Sequence, residues 1–429
     1  MNSATQTGQP LVKVCLGDVS DITMGQSPGS VNLNTSEQGL PFLQGCAEFG
    51  RKSPQTAVYC NPPLRISKPE SILISVRAPV GTLNWGEQSY CIGRGLAAIR
   101  AINEVADTGF LLYAISDNVH YLHRRSQGST FLAVGGEDLK SFPVPSFRIE
   151  AQHKIARILG TIDQAIEKTQ VLIDKYQQIK AGLMHDLFTR GIGPDGQLRP
   201  CREQSPELYQ QTPIGWIPKE WEFAPIGKYV KSVQYGISTS LDDKASGIPV
   251  LRMNNIQSNS FDVSEMKYSR APEAYKVKLS VGDVLYNRTN SIEHVGKTAI
   301  WKDELPECSF ASYLVRLNLI TESVFPEYFS HWMSQVASQN ALRVYATPGV
   351  QQVNINPTNL QRVIISLPTS MDEQLEIARR IDSIDCRIEK DRLLLAKFQK
   401  QKSGLMHDLL TGEVQVRVES EEERAVETV

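Results

Sequence analysis

The sequence predicts an α/β protein of two globular domains, built from mixed strands and short helices, each followed by one of two long coiled-coil helices. Three observations carry this. Residues 152–189 recur at 374–411 with a constant offset of 222 and no gap, about 20 of 38 positions being identical, among them the run Gly-Leu-Met-His-Asp-Leu. Both copies place apolar residues at heptad spacing. The regions before them instead carry short apolar runs broken by Gly, Pro, Asn and Ser. The chain is therefore a pseudo-twofold internal repeat. Its helices have stayed more alike than its domains, which implies one shared task for the helices and two different tasks for the domains.

The first domain, 1–148, contains the short apolar runs SILISV and GLAAIRA, set off by Gly, Pro, Asn and Ser and therefore read as strands, with a helix near 108–122. In the first long helix, 149–190, Ile155, Ile162, Thr169, Tyr176 and Leu183 are seven apart. Leu159, Ile166, Ile173 and Leu187 form a second row broken at Lys180. Sustained heptads of this kind predict a coiled-coil seam. Pro145 before the helix and Gly191 after it are start and stop signals, and 38 residues of helix span about 57 Å. The Gly/Pro-rich segment 191–211 reads as a linker.

The second domain, 212–369, has the strand-like runs GDVLY and SYLVRLNL and a helical stretch near 326–342. It echoes the first faintly, Gly39–Gln44 matching Gly247–Arg252 and Ser71–Arg77 matching Asp283–Arg288. The second long helix, 370–412, repeats the seam with Ile377, Ile384, Asp391, Phe398 and Leu405, beside Ile381, Ile388, Leu395 and Leu409. Thr169 and Asp391 interrupt it at equivalent places, as polar residues that set register do. The tail 413–429, with six Glu and two Arg, has no apolar face and is expected to be disordered.

Composition narrows the function classes. With 429 residues, 41% hydrophobic and 21% charged, the chain is an ordinary globular protein of several domains. It has no run of 18 apolar residues and no basic, apolar leader, so a cytoplasmic protein without a membrane partner is expected. The seven cysteines show no CxxC spacing, and His120 and His123 have no further ligands near them in sequence, so neither a disulfide framework nor a metal site is expected. The net charge is −2, and outside the acidic tail positive and negative residues nearly balance. A polyanion could not be gripped by bulk charge; local patches or a partner would have to neutralise it.

Three fragments of enzyme motifs are incomplete. Asn61-Pro62-Pro63-Leu64 resembles the amine-holding motif of amino-methyltransferases, but Leu64 lacks the ring that stacks on a flipped base. Gly296-Lys297-Thr298 ends like a phosphate loop, yet Ser291 stands where its first glycine is needed. Gly93-Arg94-Gly95-Leu96-Ala97-Ala98 fits the dinucleotide fingerprint only loosely. The repeated His185 and His407 read as helix-terminal residues. No catalytic, cofactor-binding or metal-binding residue is assigned.

The organisation resembles the DNA-specificity subunit of type I restriction-modification enzymes. The features that carry the resemblance are Thr212-Pro213-Ile214-Gly215-Trp216-Ile217-Pro218-Lys219-Glu220-Trp221 ahead of the second domain, the helix starts Gln152-x-x-Ile155-Ala156 and Gln374-x-x-Ile377-Ala378, and the Gly-Leu-Met-His-Asp-Leu ends at 182–187 and 404–409. The resemblance implies two target-recognition domains separated by two long antiparallel helices. Each domain would read one half of an asymmetric, two-part site in double-stranded DNA. It also implies a non-catalytic subunit that docks two methyltransferase subunits and restriction (motor-nuclease) subunits, with S-adenosylmethionine, ATP and Mg on those partners and no cofactor in this chain. The alternatives are an adaptor that bridges two protein partners without reading sequence, and an autonomous methyltransferase, which the missing cofactor loop disfavours.

Base reading calls for Arg or Lys toward guanine and Asn or Gln toward adenine, on loops that can enter a groove. In the first domain the DNA-binding candidates are Gln44, Arg51, Lys52, Arg77, Arg94, Gln127 and Thr130. In the second they are Tyr235, Arg252, Asn254, Asn255, Arg288, Asn290, Lys297, Gln351, Gln352 and Asn354. For partner docking, apolar residues off the seam that recur in both helices are the candidates: Ala156 with Ala378, Val171 with Leu393, and Met184 with Met406.

Overall fold

The computed structural model describes residues 12–126, 133–257, 259–350 and 352–417. The chain divides into two compact units, one made of 1–171 with 392–429 and the other of 172–391. The long helices are Ile149–Thr189 and Met371–Thr411, 41 residues each. Each unit thus contains one domain, part of one long helix and the complementary part of the other.

In the first unit a four-stranded antiparallel sheet runs in the order Ser20–Met24, Leu96–Ala101, Ser71–Ser75, Leu83–Gly86. Side chains alternate across a strand, and both faces of this sheet are covered. Ile72, Ile74, Ala97 and Ile99 pack with Phe110, Leu111 and Ala114 of the helix Thr108–Asp117 and with Ile155, Leu159, Leu409 and Leu410 of the long helices. Leu73, Leu96 and Ala98 turn the other way, into a smaller core with Leu43, Tyr90 and Ile92. That is why SILIS reads as a continuous apolar run. Leu40–Leu43 lies parallel to Tyr90–Ile92, and Lys13–Cys15 closes the domain against Pro143–Pro145.

The second unit repeats this plan. Its four-stranded sheet has the order Val230–Tyr235, Leu314–Leu319, Val284–Asn287, Thr298–Ile300, and Ile248–Leu251 lies parallel to Ser309–Phe310. Trp221–Pro225 pairs with Ile364–Pro368 as the closing ladder. The duplication foreshadowed by the helices therefore extends into the domains, through the four-stranded sheet, the parallel pair and the closing ladder.

One buried glutamine in each unit fixes domain to helix. Gln152 accepts from Asp107 N at 3.0 Å and donates to Phe147 O at 2.9 Å and Val105 O at 3.4 Å. Gln374 accepts from Phe325 N at 2.8 Å and donates to Pro368 O at 2.9 Å and Ser323 O at 3.2 Å. Asp107 and Phe325 are the N-cap residues of the matching short helices. Buried amides and carbonyls that would otherwise lack partners are thus satisfied by one side chain, which accounts for the glutamine opening both helix-start motifs.

Within each unit the long helices run antiparallel. In the second unit Arg387 lies over the Tyr176 ring and Lys180 meets Asp385, so rising numbers pair with falling ones. In the first unit Lys402 meets Asp163 at 2.6 Å. Lys180, which breaks the heptad row, is thus an ion-pair position. Thr169 and Asp391 are both buried, the hydroxyl bonded back to Ala165 O at 2.7 Å and the carboxylate to Arg387 Nε at 3.1 Å.

The segment 191–211, expected as a linker, is packed within the second unit. Ile192 enters its core, Tyr209–Thr212 forms a hairpin with Gly215–Pro218, and the Arg199 side chain is only 7% exposed. Arg199 grips Glu373 through both terminal nitrogens at 2.5 and 3.0 Å and Glu220 at 2.6 Å; Glu373 also accepts from Trp221 Nε1 at 3.1 Å and Ile192 N at 2.9 Å. Gly191 sits at φ +65°, and a Cβ there would fall within 2.6 Å of Glu373, Arg199 and Trp221. A sparse apolar content is sufficient here because a bidentate buried ion pair supplies the anchor.

Candidate nucleic-acid interface

The second domain gathers its strongest candidates at one end of the sheet. Arg288 follows the strand Val284–Asn287; its amide donates to Tyr313 O at 3.0 Å and its carbonyl accepts from Ile355 N at 2.9 Å, which fixes the backbone on both sides. Its Nε donates to Ser312 O at 3.0 Å, and the guanidinium lies 5.2 Å from the centre of the Tyr235 ring. Thr289–Asn290 then pairs with Val353–Asn354, which pairs with Thr347–Pro348. Asn354 Nδ2 donates to Thr289 Oγ1 at 2.6 Å, and Asn290 Oδ1 accepts from Ser291 N at 2.8 Å. Gln352 is exposed beside Val350, and a shallow groove runs along Thr289, Pro348, Gly349 and Gln352. Tyr235, Arg288, Asn290, Gln352 and Asn354 are therefore neighbours, a cation and amides beside two half-exposed rings, Tyr235 and Tyr313. Tyr313 and Thr347 carry no sequence signal: Tyr313 joins the group through its carbonyl's bond to Arg288 N, and Thr347 through its pairing with Asn354, both visible only in the fold.

The first domain makes a counterpart from other residues. Gln44 Nε2 donates to Ser27 Oγ at 3.0 Å, and the same hydroxyl accepts from Arg94 N at 3.2 Å. Gly95 N donates to Gln44 O at 3.2 Å and Gly95 O accepts from Val76 N at 2.9 Å, which brings Arg77 to the same loops. Gln44, Arg77 and Arg94 are all exposed. Ser27, the hub of the group, carries no sequence signal beyond its Gly/Ser/Pro-rich loop.

The hydrogen bonds equate the two sites position by position. Val76 N to Gly95 O matches Arg288 N to Tyr313 O, and Val134 N to Val76 O matches Ile355 N to Arg288 O. One backbone frame thus carries valine in the first domain and arginine in the second.

Other candidates lie elsewhere. Arg51 and Lys52 line a groove with Asp163, Glu167 and Lys402 of the first unit's helices instead of joining the Gln44 group. Lys297 lines a cleft with Lys180, Glu293 and Arg343 in the second unit. Asn254 is exposed on the turn Met253–Asn255. Asn255 is corrected: it is 3% exposed, accepts from Arg252 N at 2.8 Å and donates to Asp262 O at 2.7 Å, so its amide is committed to the fold. Arg252 is half-buried and donates from Nη2 to Glu265 O at 3.3 Å. Gln127, Thr130 and Gln351 lie outside the described residues.

Most of the expected docking residues are also corrected. Met184 and Ala378 are buried, and Ala156 and Met406 pack against the core of the first unit. Their recurrence has an intramolecular reason after all, since each long helix packs a domain as well as its seam. Val171 and Leu393 remain exposed, at 53% and 64%.

Among the described residues, one group has metal-ligand chemistry, His331 with Asp382 and Asp385. Its charge is already met: Lys180 Nζ donates to both oxygens of Asp385, and His331 Nε2 lies 3.1 Å from Asp382. Burial pushes the Asp382 carboxyl up, but His331 and Lys302 outweigh it and hold the group below the ordinary aspartate value. No helix among the described residues is long and apolar enough to cross a membrane.

The family profile described as type I restriction modification DNA specificity domain matches residues 10–175 and again 218–396, once per half. The chain belongs to this family. The MjaX specificity subunit of Methanocaldococcus jannaschii is 40% identical over 171 residues, a stretch that spans only 40% of either chain. The MjaVIII specificity subunit of the same organism is 22% identical over 422 residues, 94% of this chain and 93% of that one. Among solved structures, the type I restriction-modification S subunit from M. genitalium shares the fold, with a TM-score of 0.63 at 11% identity over 96% of this chain and 98% of that one. A specificity subunit is thus the frame in which the two loop clusters stand.

Proposed function

We propose that this specificity subunit reads a two-part, asymmetric site in double-stranded DNA, the second domain through the cluster around Arg288 and the first through Gln44, Arg77 and Arg94. The observation that carries the reading is the duplicated frame with unlike side chains, Val76 where the other domain has Arg288. A duplicated domain that kept its contacts would read a symmetric site; one that changed them reads two different halves. The chain is a recognition and scaffolding subunit without catalysis of its own. It docks two methyltransferase subunits and restriction subunits, which bring S-adenosylmethionine, ATP and Mg. Because the body is close to neutral, those partners supply much of the phosphate neutralisation.

The test is an exchange of residues 1–148 for the same domain of a relative, in the complex assembled with methyltransferase subunits, followed by mapping of methylated adenines. One half of the recognised sequence should change and the other stay. A complex that methylates without sequence preference would overturn the reading and leave only a bridging role.

A further inference from the structure

In the second unit, Arg288 is held at every point except its tip. Its main chain is pinned between Tyr313 O and Ile355 N, its Nε is spent on Ser312 O, and its guanidinium lies against the Tyr235 ring. Among the described residues, Nη1 and Nη2 have no hydrogen-bond partner, and no carboxylate pairs with them. A phosphate needs no such fixing, because a flexible lysine or arginine reaches it from many directions. A fork whose two outer nitrogens alone are open, and whose plane is set by a carbonyl and a ring, matches the paired acceptors O6 and N7 on the major-groove edge of guanine.

We infer that the half-site read by the second domain contains a guanine, and that Arg288 reads it through Nη1 and Nη2. The inference rests on the proposed DNA-reading role of this cluster. It is specific to the second domain, since the first has Val76 in the same frame, and Arg94, in the loop that matches Ser312, is presented on an exposed turn instead. Tyr235, whose ring lies against the guanidinium, acts as a positioning residue for the fork.

The complex assembled with its methyltransferase subunits would select from a pool of random duplexes, as wild type, Arg288→Gln and Arg288→Lys. The wild type should return a two-part sequence with a fixed guanine. Arg288→Gln should accept other bases at that position only, with discrimination falling roughly 5- to 150-fold, while Arg288→Lys, which still donates to guanine but lacks the planar fork, should lose only part of it. An independent arm leaves the protein unchanged: 7-deazaguanine at that position removes N7, and should weaken wild-type binding while leaving Arg288→Gln unaffected. Uniform weakening on all sequences with a shallower salt dependence would show a phosphate contact and overturn the inference. So would a half-site without guanine, or 7-deazaguanine tolerated by the wild type. If the wild-type complex selects no sequence at all, it is the DNA-reading role itself that fails.

Discussion

Lys180 donates to both carboxylate oxygens of Asp385, at 2.6 and 2.7 Å, from a position where the heptad rule asks for an apolar side chain. The chain makes the same pair a second time: Lys402, 222 residues after Lys180, meets Asp163, 222 residues before Asp385, in the other unit. Each pair is possible at one antiparallel alignment only, so it specifies register where a further leucine would tolerate sliding.

Breaking one pair should therefore cost stability and precision together. Lys180→Ala leaves Asp385, only 32% exposed, without its main partner, and should destabilise by about 1–3 kcal/mol. The charge exchange Lys180→Asp with Asp385→Lys should recover much of the loss. Denaturant unfolding of both singles and the double would check this, a coupling near zero meaning that the pair is only a surface contact.

Glu373→Gln should be the more damaging change. It leaves the Arg199 guanidinium, 7% exposed, with only the largely exposed Glu220 as a carboxylate partner, and removing one member of a buried pair costs about 3–5 kcal/mol. Thermal unfolding followed by calorimetry should show a large loss confined to the second unit. Glu220→Gln, at a partner 65% exposed, should be far milder.

The paired glutamines should behave alike. Gln152→Leu strands the Asp107 amide and Gln374→Leu strands that of Phe325, at about 1–3 kcal/mol each. Amide hydrogen exchange should quicken at the start of Thr108–Asp117 in the one variant and of Pro326–Ser334 in the other.

Acid sensitivity should trace in part to Asp382. Its folded value is depressed, so the stabilisation is complete above the ordinary 3.8 and is lost as pH falls below it through the folded value. Asp382→Asn should flatten the stability profile below about pH 4 and leave its slope at neutral pH unchanged.

At the exposed pair, Val171→Asp with Leu393→Asp should weaken association with methyltransferase subunits while leaving unfolding within about 0.5 kcal/mol of wild type. Light scattering on the mixed subunits would measure it. The equivalent change at Met184 should instead disrupt the second unit, because that side chain is buried.

The long helices and their seam positions were legible because periodicity is a local signal and the repeat amplified it, whereas their antiparallel sense was implied only by the family resemblance. The segment 191–211 was not legible. Its anchor, Arg199 with Glu373, joins residues 174 apart, and nothing about either one in sequence announces the other. The candidate site was half legible for a similar reason. Arg288, Asn290 and Asn354 stand out by residue type and loop position, whereas Asn255 has the same type and turns inward to cap its own loop. Ser27 has its role only through loops that meet across 67 residues, and Tyr313 only through its carbonyl's bond to the Arg288 amide. Met184 and Ala378 misled because recurrence in both helices was taken to need an outside partner, while each domain already packs against its own stretch of helix.

The first unit is assembled from both ends of the chain, Leu409 and Leu410 joining a core that begins at Leu16. The second unit is one continuous stretch, 172–391. On a ribosome the later domain can therefore finish folding before the earlier one. The stretch from Ile155 and Leu159 must wait until about 250 further residues have been made, roughly 12–50 s at ordinary rates of synthesis. During that interval its apolar face is open to solvent, and a chaperone or a methyltransferase subunit that covers it would decide the yield of intact protein. Fusing 392–417 ahead of the first domain by a flexible linker should shorten the wait and raise the fraction that folds.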